Sequence, residues 1–233
     1  MRKLLPYLLG SLCAFAAVGC GGSGETILGT EQNPRVRAIN FAATTNPVDI
    51  RVNNETILDN AAFNTVGTYR VVENGTRNVD VFDSVTNGVI ATTDPDPLFE
   101  LSQYYSVVAY NSGDSVQVAR VLENRNPPAG QGQVRVVNLA NGVGTVDVYL
   151  TEPSADITGA TPTSDNLAFG TPSTTEQEYA RRAPGTYRIR ITPSDSQNVI
   201  FDQNVTLDSG SAKTLYFVRN SGANRLIEVN DRL

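Results

Sequence analysis

Few side chains in this sequence are equipped for chemistry. It has no His and no Trp, and its two Cys, Cys13 and Cys20, both lie near the N-terminus. The commonest general base and the commonest zinc ligand are therefore missing, and the body of the chain has no pair of thiols to join. Carboxylate, guanidinium and hydroxyl groups remain. Two Arg/Asp pairs recur at one spacing, Arg37 with Asp49 and Arg135 with Asp147. Such a pair reads as a cross-strand ion pair on a solvent-facing sheet, worth well under about 1 kcal/mol. Its functional reading is a contact to carbohydrate or peptide. Asp94 and Asp96, with Asp80 or Asp83, offer oxygen ligands to calcium. The run Asp94-Pro95-Asp96-Pro97 lacks the Gly-punctuated spacing of a calcium loop, however, and reads as a turn. Lys213 near Ser209 and Ser211 has the elements of Ser/Lys chemistry without a nucleophile motif around it. Lys213 and Arg219 read instead as gatekeepers that bracket the apolar run Thr214–Val218. A hydrolase working with carboxylates alone needs two of them converging in a cleft. The expectation is a non-enzyme with no catalytic residue, cofactor or metal.

These residues sit on a repeated frame. Val36-Arg37-Ala38-Ile39-Asn40-Phe41-Ala42, followed by Val48-Asp49-Ile50-Arg51-Val52, returns as Val134-Arg135-Val136-Val137-Asn138-Leu139-Ala140, followed by Val146-Asp147-Val148-Tyr149-Leu150. Further on, Tyr69 aligns with Tyr179, Val79 and Val81 with Ile189 and Ile191, and Val89-Ile90 with Val199-Ile200. Asn111-Ser112-Gly113 aligns with Asn220-Ser221-Gly222. The second copy is longer within residues 151–175, a stretch rich in Thr, Ser, Pro and Gly that reads as a surface loop.

Within each copy the apolar residues alternate with polar ones, as in half-buried strands. Val36 and Ala38 alternate with Arg35 and Arg37, and the phase slips at Ile39, which predicts a bulge or twist there. Asn53-Asn54 and Asn87-Gly88 are hairpin turns. Tyr104–Tyr110 carries no charge and reads as a buried central strand. Tyr187, Ile189 and Ile191 face a core, with Arg188 and Arg190 facing out. No window has helical periodicity. The fold class is all-β: two tandem antiparallel β-sandwich (Ig-like) domains over residues 34–125 and 133–233, each near the roughly 100 residues typical of such a module. The linker 126–132 contains Pro127-Pro128, and each copy is expected to fold alone.

The chain has 233 residues and a formal charge of −6. With no basic stripe to displace counterions, nucleic acid is excluded as a partner. At the N-terminus, Arg2 and Lys3 precede an apolar stretch, residues 4–18, that is too short to span a bilayer comfortably and suits a signal peptide. It ends in Ala17-Val18-Gly19-Cys20, which resembles the lipobox of bacterial lipoproteins, although Leu usually stands where Ala17 does. That resemblance implies a leader over residues 1–19, lipidation of Cys20, and a Gly/Ser tether over residues 20–33. By likeness to enterobacterial lipoproteins, the absence of Asp after Cys20 favours the outer membrane, with the modules facing the periplasm or the exterior. The bland alternative is an ordinary secretory leader with an incidental Cys20.

Val146–Ile157, Leu167-Ala168-Phe169-Gly170 and Ala183–Ile189 resemble a bacterial family of secreted and lipid-anchored modules, domain-of-unknown-function family 4397. The second copy is the clearer match; the first has Glu73-Asn74-Gly75 in place of Ala183-Pro184-Gly185. The resemblance implies an Ig-like or related sandwich and brings no activity. The expected function is a non-catalytic, lipid-anchored envelope protein with structural, adhesion or binding modules. Its partners would be the membrane, through Cys20, and an envelope glycan or protein. The alternative is capture of glycan or peptide by the 151–175 loop with Tyr149 and Tyr179. A carboxylate-only hydrolase is the remote third reading.

Overall fold

The computed structural model describes residues 32–170 and 179–232. The leader, Cys20 and most of the tether lie outside the described residues. The first half runs through β1 (Arg35–Phe41), β2 (Val48–Val52), β3 (Glu55–Ala61), β4 (Thr65–Val66), β5 (Arg70–Val71), β6 (Gly75–Thr76), β7 (Val79–Asp83), β8 (Val89–Thr92), β9 (Leu98–Phe99), β10 (Tyr104–Ser112) and β11 (Ser115–Glu123). The second runs through β12 (Gly132–Leu139), β13 (Val146–Thr151), β14 (Ser164–Leu167), β15 (Ala180–Arg182), β16 (Gly185–Pro193), β17 (Phe201–Leu207), β18 (Ala212–Asn220) and β19 (Ala223–Asn230). Among the described residues there is no helix, and the fold is all-β.

Both halves use one strand plan. An outer sheet has the order β3-β2-β7-β8 in the first half and β14-β13-β16-β17 in the second. An inner sheet has the order β11-β10-β1-β4, with β5 also on β1, and β19-β18-β12-β15. The pairing is antiparallel except for one parallel ladder in each half, β1 on β10 and β12 on β18. Hairpin turns stand where the Asn signals place them: Asn53, Asn54 and Asn87 all have positive φ, a conformation Asn tolerates better than most residues.

Three apolar clusters organise the layers. Val36, Ala38, Tyr105 and Val107 of the first inner sheet meet Ile50, Val79 and Val81 of its outer sheet. Val134, Val136, Leu215 and Phe217 meet Val148, Ile189 and Ile191 in the second half. The third cluster lies between the halves. There Ile39, Phe41, Val108, Tyr110 and Val121 meet Val137, Leu139, Tyr216, Val218 and Val229. The inner sheets thus pack back to back, and the described residues form one compact unit.

This arrangement corrects the reading of β1. No bulge occurs at Ile39, and the β1–β10 register is continuous from Arg35 to Phe41. Alternation holds throughout. Val36 and Ala38 face their own sandwich, and Ile39 and Phe41 face the other half. With both faces covered, β10 becomes the charge-free buried central strand its sequence indicates. The run Thr214–Val218 is likewise interior, between β12 and β19. Lys213 is no surface gatekeeper: it is 8% exposed, its Nζ donates to Thr206 O at 2.7 Å and lies 2.5 Å from Glu228 Oε1. The long loop of the second half contains β14, and its residues 152–163 lie against the outer sheet. Arg190 Nη2 donates to Ala155 O at 2.8 Å, and Arg188 Nη1 to Pro153 O at 3.4 Å.

Candidate functional site

The repeated polar residues do not form the pairs their spacing implies. Asp49 and Asp147 face away from the inner sheets and organise the edge of the outer ones. Asp49 Oδ1 accepts from Asn60 N at 2.8 Å and Ser84 Oγ at 2.6 Å. Asp147 Oδ1 accepts from Asn166 N at 2.9 Å and Ser194 Oγ at 3.2 Å. Asn60 and Asn166 both have positive φ, so each Asp holds a kinked edge strand in the same way. Burial alone would raise the Asp49 carboxyl, but the bonds from Ser84 and the Asn60 backbone hold it below the usual carboxylate range.

Arg37 and Arg135 point the other way, into the contact between the halves, and both are buried. Arg37 Nε donates to Ser106 Oγ at 2.8 Å, and Ser106 Oγ donates to Glu123 Oε1 at 2.5 Å. Tyr69 OH donates to Glu123 Oε2, with the Arg37 guanidinium 4.9 Å from the Tyr69 ring centre. The second half repeats the relay. Arg135 Nε donates to Thr214 Oγ1 at 3.0 Å, and Thr214 Oγ1 donates to Asp231 Oδ2 at 2.7 Å. Tyr179 OH donates to Asp231 Oδ2 at 2.7 Å, with the Arg135 guanidinium 4.4 Å from the Tyr179 ring centre.

One asymmetry joins the relays. Arg37 crosses between the halves: Nη2 donates to Asp231 Oδ1 at 2.7 Å while lying 2.9 Å from Glu123 Oε1, and Nη1 donates to Asn230 O at 2.6 Å. Arg135 makes no such crossing, and its Nη1 and Nη2 are buried without a hydrogen-bond partner, as is the Tyr216 hydroxyl.

The electrostatics follow from enclosure. Burial, the largest single influence, works against the Arg37 charge, but Glu123, Tyr69, Tyr216 and Asp231 together outweigh it and hold the guanidinium above its usual range. Burial pushes the Tyr69, Tyr179 and Tyr216 phenols up, so they remain neutral. Burial, reinforced by the nearby Asp231 charge and opposed by Arg37, also pushes the Glu123 carboxyl up. A carboxyl whose pKa is raised by folding stabilises the fold most below the ordinary Glu range, near about 4.3. That stability is lost as pH rises through the folded value. Glu123→Gln cannot titrate, so the stability of the parent relative to this variant should fall between pH 4.5 and 7.5, measured by urea unfolding. A relative stability that grows with pH would mean that folding depresses the Glu123 pKa.

Glu123 and Asp231 are the converging carboxylates that a carboxylate-only hydrolase requires. Their side chains are 0% exposed, and each is saturated by Arg37, a tyrosine and a hydroxyl. Neither carboxylate side chain presents surface to a substrate in this structure. Tyr149 and Tyr179, the aromatics expected to support glycan capture, are 4% and 6% exposed and are unavailable to a sugar. Asp80 and Asp83 are engaged in their own hairpin, through Thr92 and the Val85 and Thr86 amides. Among the described residues no group of three or more acidic or sulfur ligands could hold a metal, and no helix is long and apolar enough to cross a membrane.

Sequence reasoning missed Glu123 and Asp231. The last repeat match in the sequence, Asn111-Ser112-Gly113 with Asn220-Ser221-Gly222, stops short of them; in the fold each stands two residues beyond a valine, Val121 or Val229, that pairs with Ser106 or Thr214.

Residues 34–149 match the sequence model of the family described as Domain of unknown function (DUF4397), and the chain resembles that family. No curated protein matches. Among solved structures, similarity extends to CBMbc, of family CBM26, from Eubacterium rectale Amy13K, in complex with maltoheptaose. Identity is 9%, coverage 84% of this chain and 97% of that one, and the TM-score 0.27. It extends also to family 41 carbohydrate-binding modules from streptococcal virulence factors, in a structure of α-glucan recognition. There identity is 10%, coverage 82% and 95%, and the TM-score 0.26. Likenesses at those TM-scores carry no argument about this chain.

Proposed function

We propose that this chain is a non-catalytic, lipid-anchored protein of the bacterial cell envelope, in which two copies of the matched module dock as one unit at the end of a tether. The module boundaries are 34–125 and 133–233, with the linker at 126–132, the leader at 1–19 and the tether at 20–33. The observation that carries the non-catalytic reading is the closed centre: Glu123 and Asp231 converge on Arg37 with no exposed side-chain surface. Support for the second copy comes from the shared strand plan and the two matching relays. The reading of the anchor rests on Ala17-Val18-Gly19-Cys20, and the absence of Asp after Cys20 supports an outer-membrane address. Several acyl chains on one residue would make that attachment stable where a single chain would not.

Intact-mass analysis of the mature protein tests the anchor. Acyl mass on a new N-terminal Cys20 is the expected result, and Cys20→Ser should abolish it and move the protein out of the detergent phase. A water-soluble mature product that begins elsewhere and carries no acyl mass would make this an ordinary secreted protein.

A further inference from the structure

A cleft at one end of the contact between the halves is built from both of them. Its first wall is the tip of the β10–β11 hairpin, with Asn111, Gly113 and Asp114. Its second wall is the tip of the β18–β19 hairpin, with Arg219, Asn220 and Ser221. These tips carry the two Asn-Ser-Gly runs that recur in the sequence. In the fold the runs stand one residue out of step, since Ser112 ends β10 and Asn220 ends β18. The cleft is therefore a feature of the joined halves and not a copy of one module's site. Its volume is about 400 Å³, within the roughly 300–1,000 Å³ of small-molecule sites.

Asn141 of the second half fixes the two walls to each other. Its Oδ1 accepts from Gly113 N at 3.0 Å, and its Nδ2 donates to Gly113 O at 2.8 Å. Asn111 Oδ1 accepts from Ala43 N at 2.7 Å. Arg219 Nε donates to Gly222 O at 3.3 Å, and Ser221 Oγ donates to Asn220 Oδ1 at 3.1 Å. The hydrogen-bonding capacity that remains is mixed. Asn111 and Asn220 retain their Nδ2 donors, Arg219 its two terminal nitrogens, and Asp114 its carboxylate oxygens. None of these atoms has a partner among the described residues. Asp114 and Arg219 are both exposed, stand on opposite walls, and form no ion pair with each other.

A carboxylate on one wall and guanidinium and amide donors on the other suit neighbouring hydroxyl groups, because a hydroxyl donates and accepts at once. Among the described residues that line the cleft, only Ala43 has an apolar side chain, so an aliphatic side chain or an acyl chain would bury little against it. A phosphate would meet the Asp114 charge, and a metal ion would meet Arg219. We infer that this cleft binds a neutral glycan, with Asp114 accepting from two neighbouring hydroxyls and Arg219 and Asn220 donating to hydroxyl oxygens. Its place in the fold suits a tethered protein. Gln32 N donates to Ser102 Oγ just before β10 begins, so the tether joins at that end of the strand. The cleft lies at the other end, roughly 25 Å away at about 3.3 Å per residue. This deepens the binding role in the proposed function and rests on its non-catalytic reading.

The test applies the detergent-solubilised full chain to an array of neutral and acidic oligosaccharides. Retention on neutral members is expected, unchanged by EDTA. Asp114→Asn and Arg219→Gln should each weaken it about tenfold or more, because hydrogen bonds to charged groups are the stronger ones. Both positions are exposed, so either variant probes the cleft without disturbing the core. Failure to bind any neutral glycan overturns the inference. So does binding that survives both substitutions, which would put the glycan elsewhere on the chain. Retention on acidic glycans alone, strengthened by Asp114→Asn, would make the cleft an anion site and overturn it as well. Loss of binding in EDTA would do the same by giving Asp114 to a cation. An acylated chain that binds no glycan would remove this site and leave the anchor standing.

Discussion

Replacing Arg37 by Met should lower the stability of the folded chain by about 3–5 kcal/mol, the usual cost of stranding a buried charge. Met keeps most of the aliphatic volume, so the loss isolates the guanidinium. Without it, Glu123 and Asp231 face each other across the contact between the halves with only hydroxyl donors left, and Asn230 O loses its partner. Both carboxylates are fully buried, so solvent cannot screen them. Urea unfolding at neutral pH measures the cost. Lowering the pH should shrink it, because protonation removes the stranded charge. Arg135→Met at the equivalent position should cost much less, since Arg135 holds no carboxylate and two of its nitrogens already lack partners. An Arg37→Met loss below about 1 kcal/mol would place the pair on a level with an exposed salt bridge and remove its role in joining the halves.

The same residues mark how far the sequence can be read. Period-two alternation makes the strands legible: Val48, Ile50 and Val52 face a core, and Asn87-Gly88 turns a hairpin. Alternation says only that one face of a strand is buried first. It cannot say that a second sheet will cover the other. Ile39 therefore looks like a slip in phase, and Arg37 looks like a solvated charge. The recurrence of Arg and Asp at one spacing is genuine, but its cause is two separate devices on opposite faces of the sandwich. Asp49 and Asp147 fix kinked edge strands, and Arg37 and Arg135 face the partner half. Spacing along a chain does not reveal which side of a sheet a residue serves. Glu123 and Asp231 are harder still to find, because each takes its meaning from strands far away in the chain.

Asn40 and Asn138 are the clearest case of a repeated residue with one repeated task. Ala42 N donates to Asn40 Oδ1 at 2.9 Å, and Asn40 Nδ2 donates to Ala61 O at 3.0 Å. In the second half Ala140 N donates to Asn138 Oδ1 at 3.2 Å, and Asn138 Nδ2 donates to Leu167 O at 3.1 Å. Each Asn turns the chain at the end of its inner strand and ties it to the end of the outer edge strand. A buried amide serves both tasks because it accepts and donates at once. That explains why Asn stands at the same place in both halves between otherwise apolar neighbours.

Residues 133–233 expressed alone should fail to persist as a folded monomer. The repeat by itself leads to the opposite expectation, since each half holds a full set of strands. The difference lies in the face that the other half covers. Val137, Leu139, Tyr216, Val218 and Val229 would all meet water, and each such side chain contributes roughly 1.5–3 kcal/mol when buried. Asp231 would lose Arg37, and Arg135 would be uncovered beside it. The exposed surface is a flat inner sheet with a charged end, and its natural complement is a sheet of the same plan. Sedimentation equilibrium should therefore find the isolated half as a dimer through that face, or aggregated. Adding residues 34–125 in trans should convert it to a one-to-one complex, because only that partner brings Arg37 to Asp231. Carrying Arg37→Met in the added half should weaken the complex without restoring the monomer. A soluble 133–233 monomer that melts cooperatively and ignores residues 34–125 would show that the contact between the halves is incidental to the stability of either.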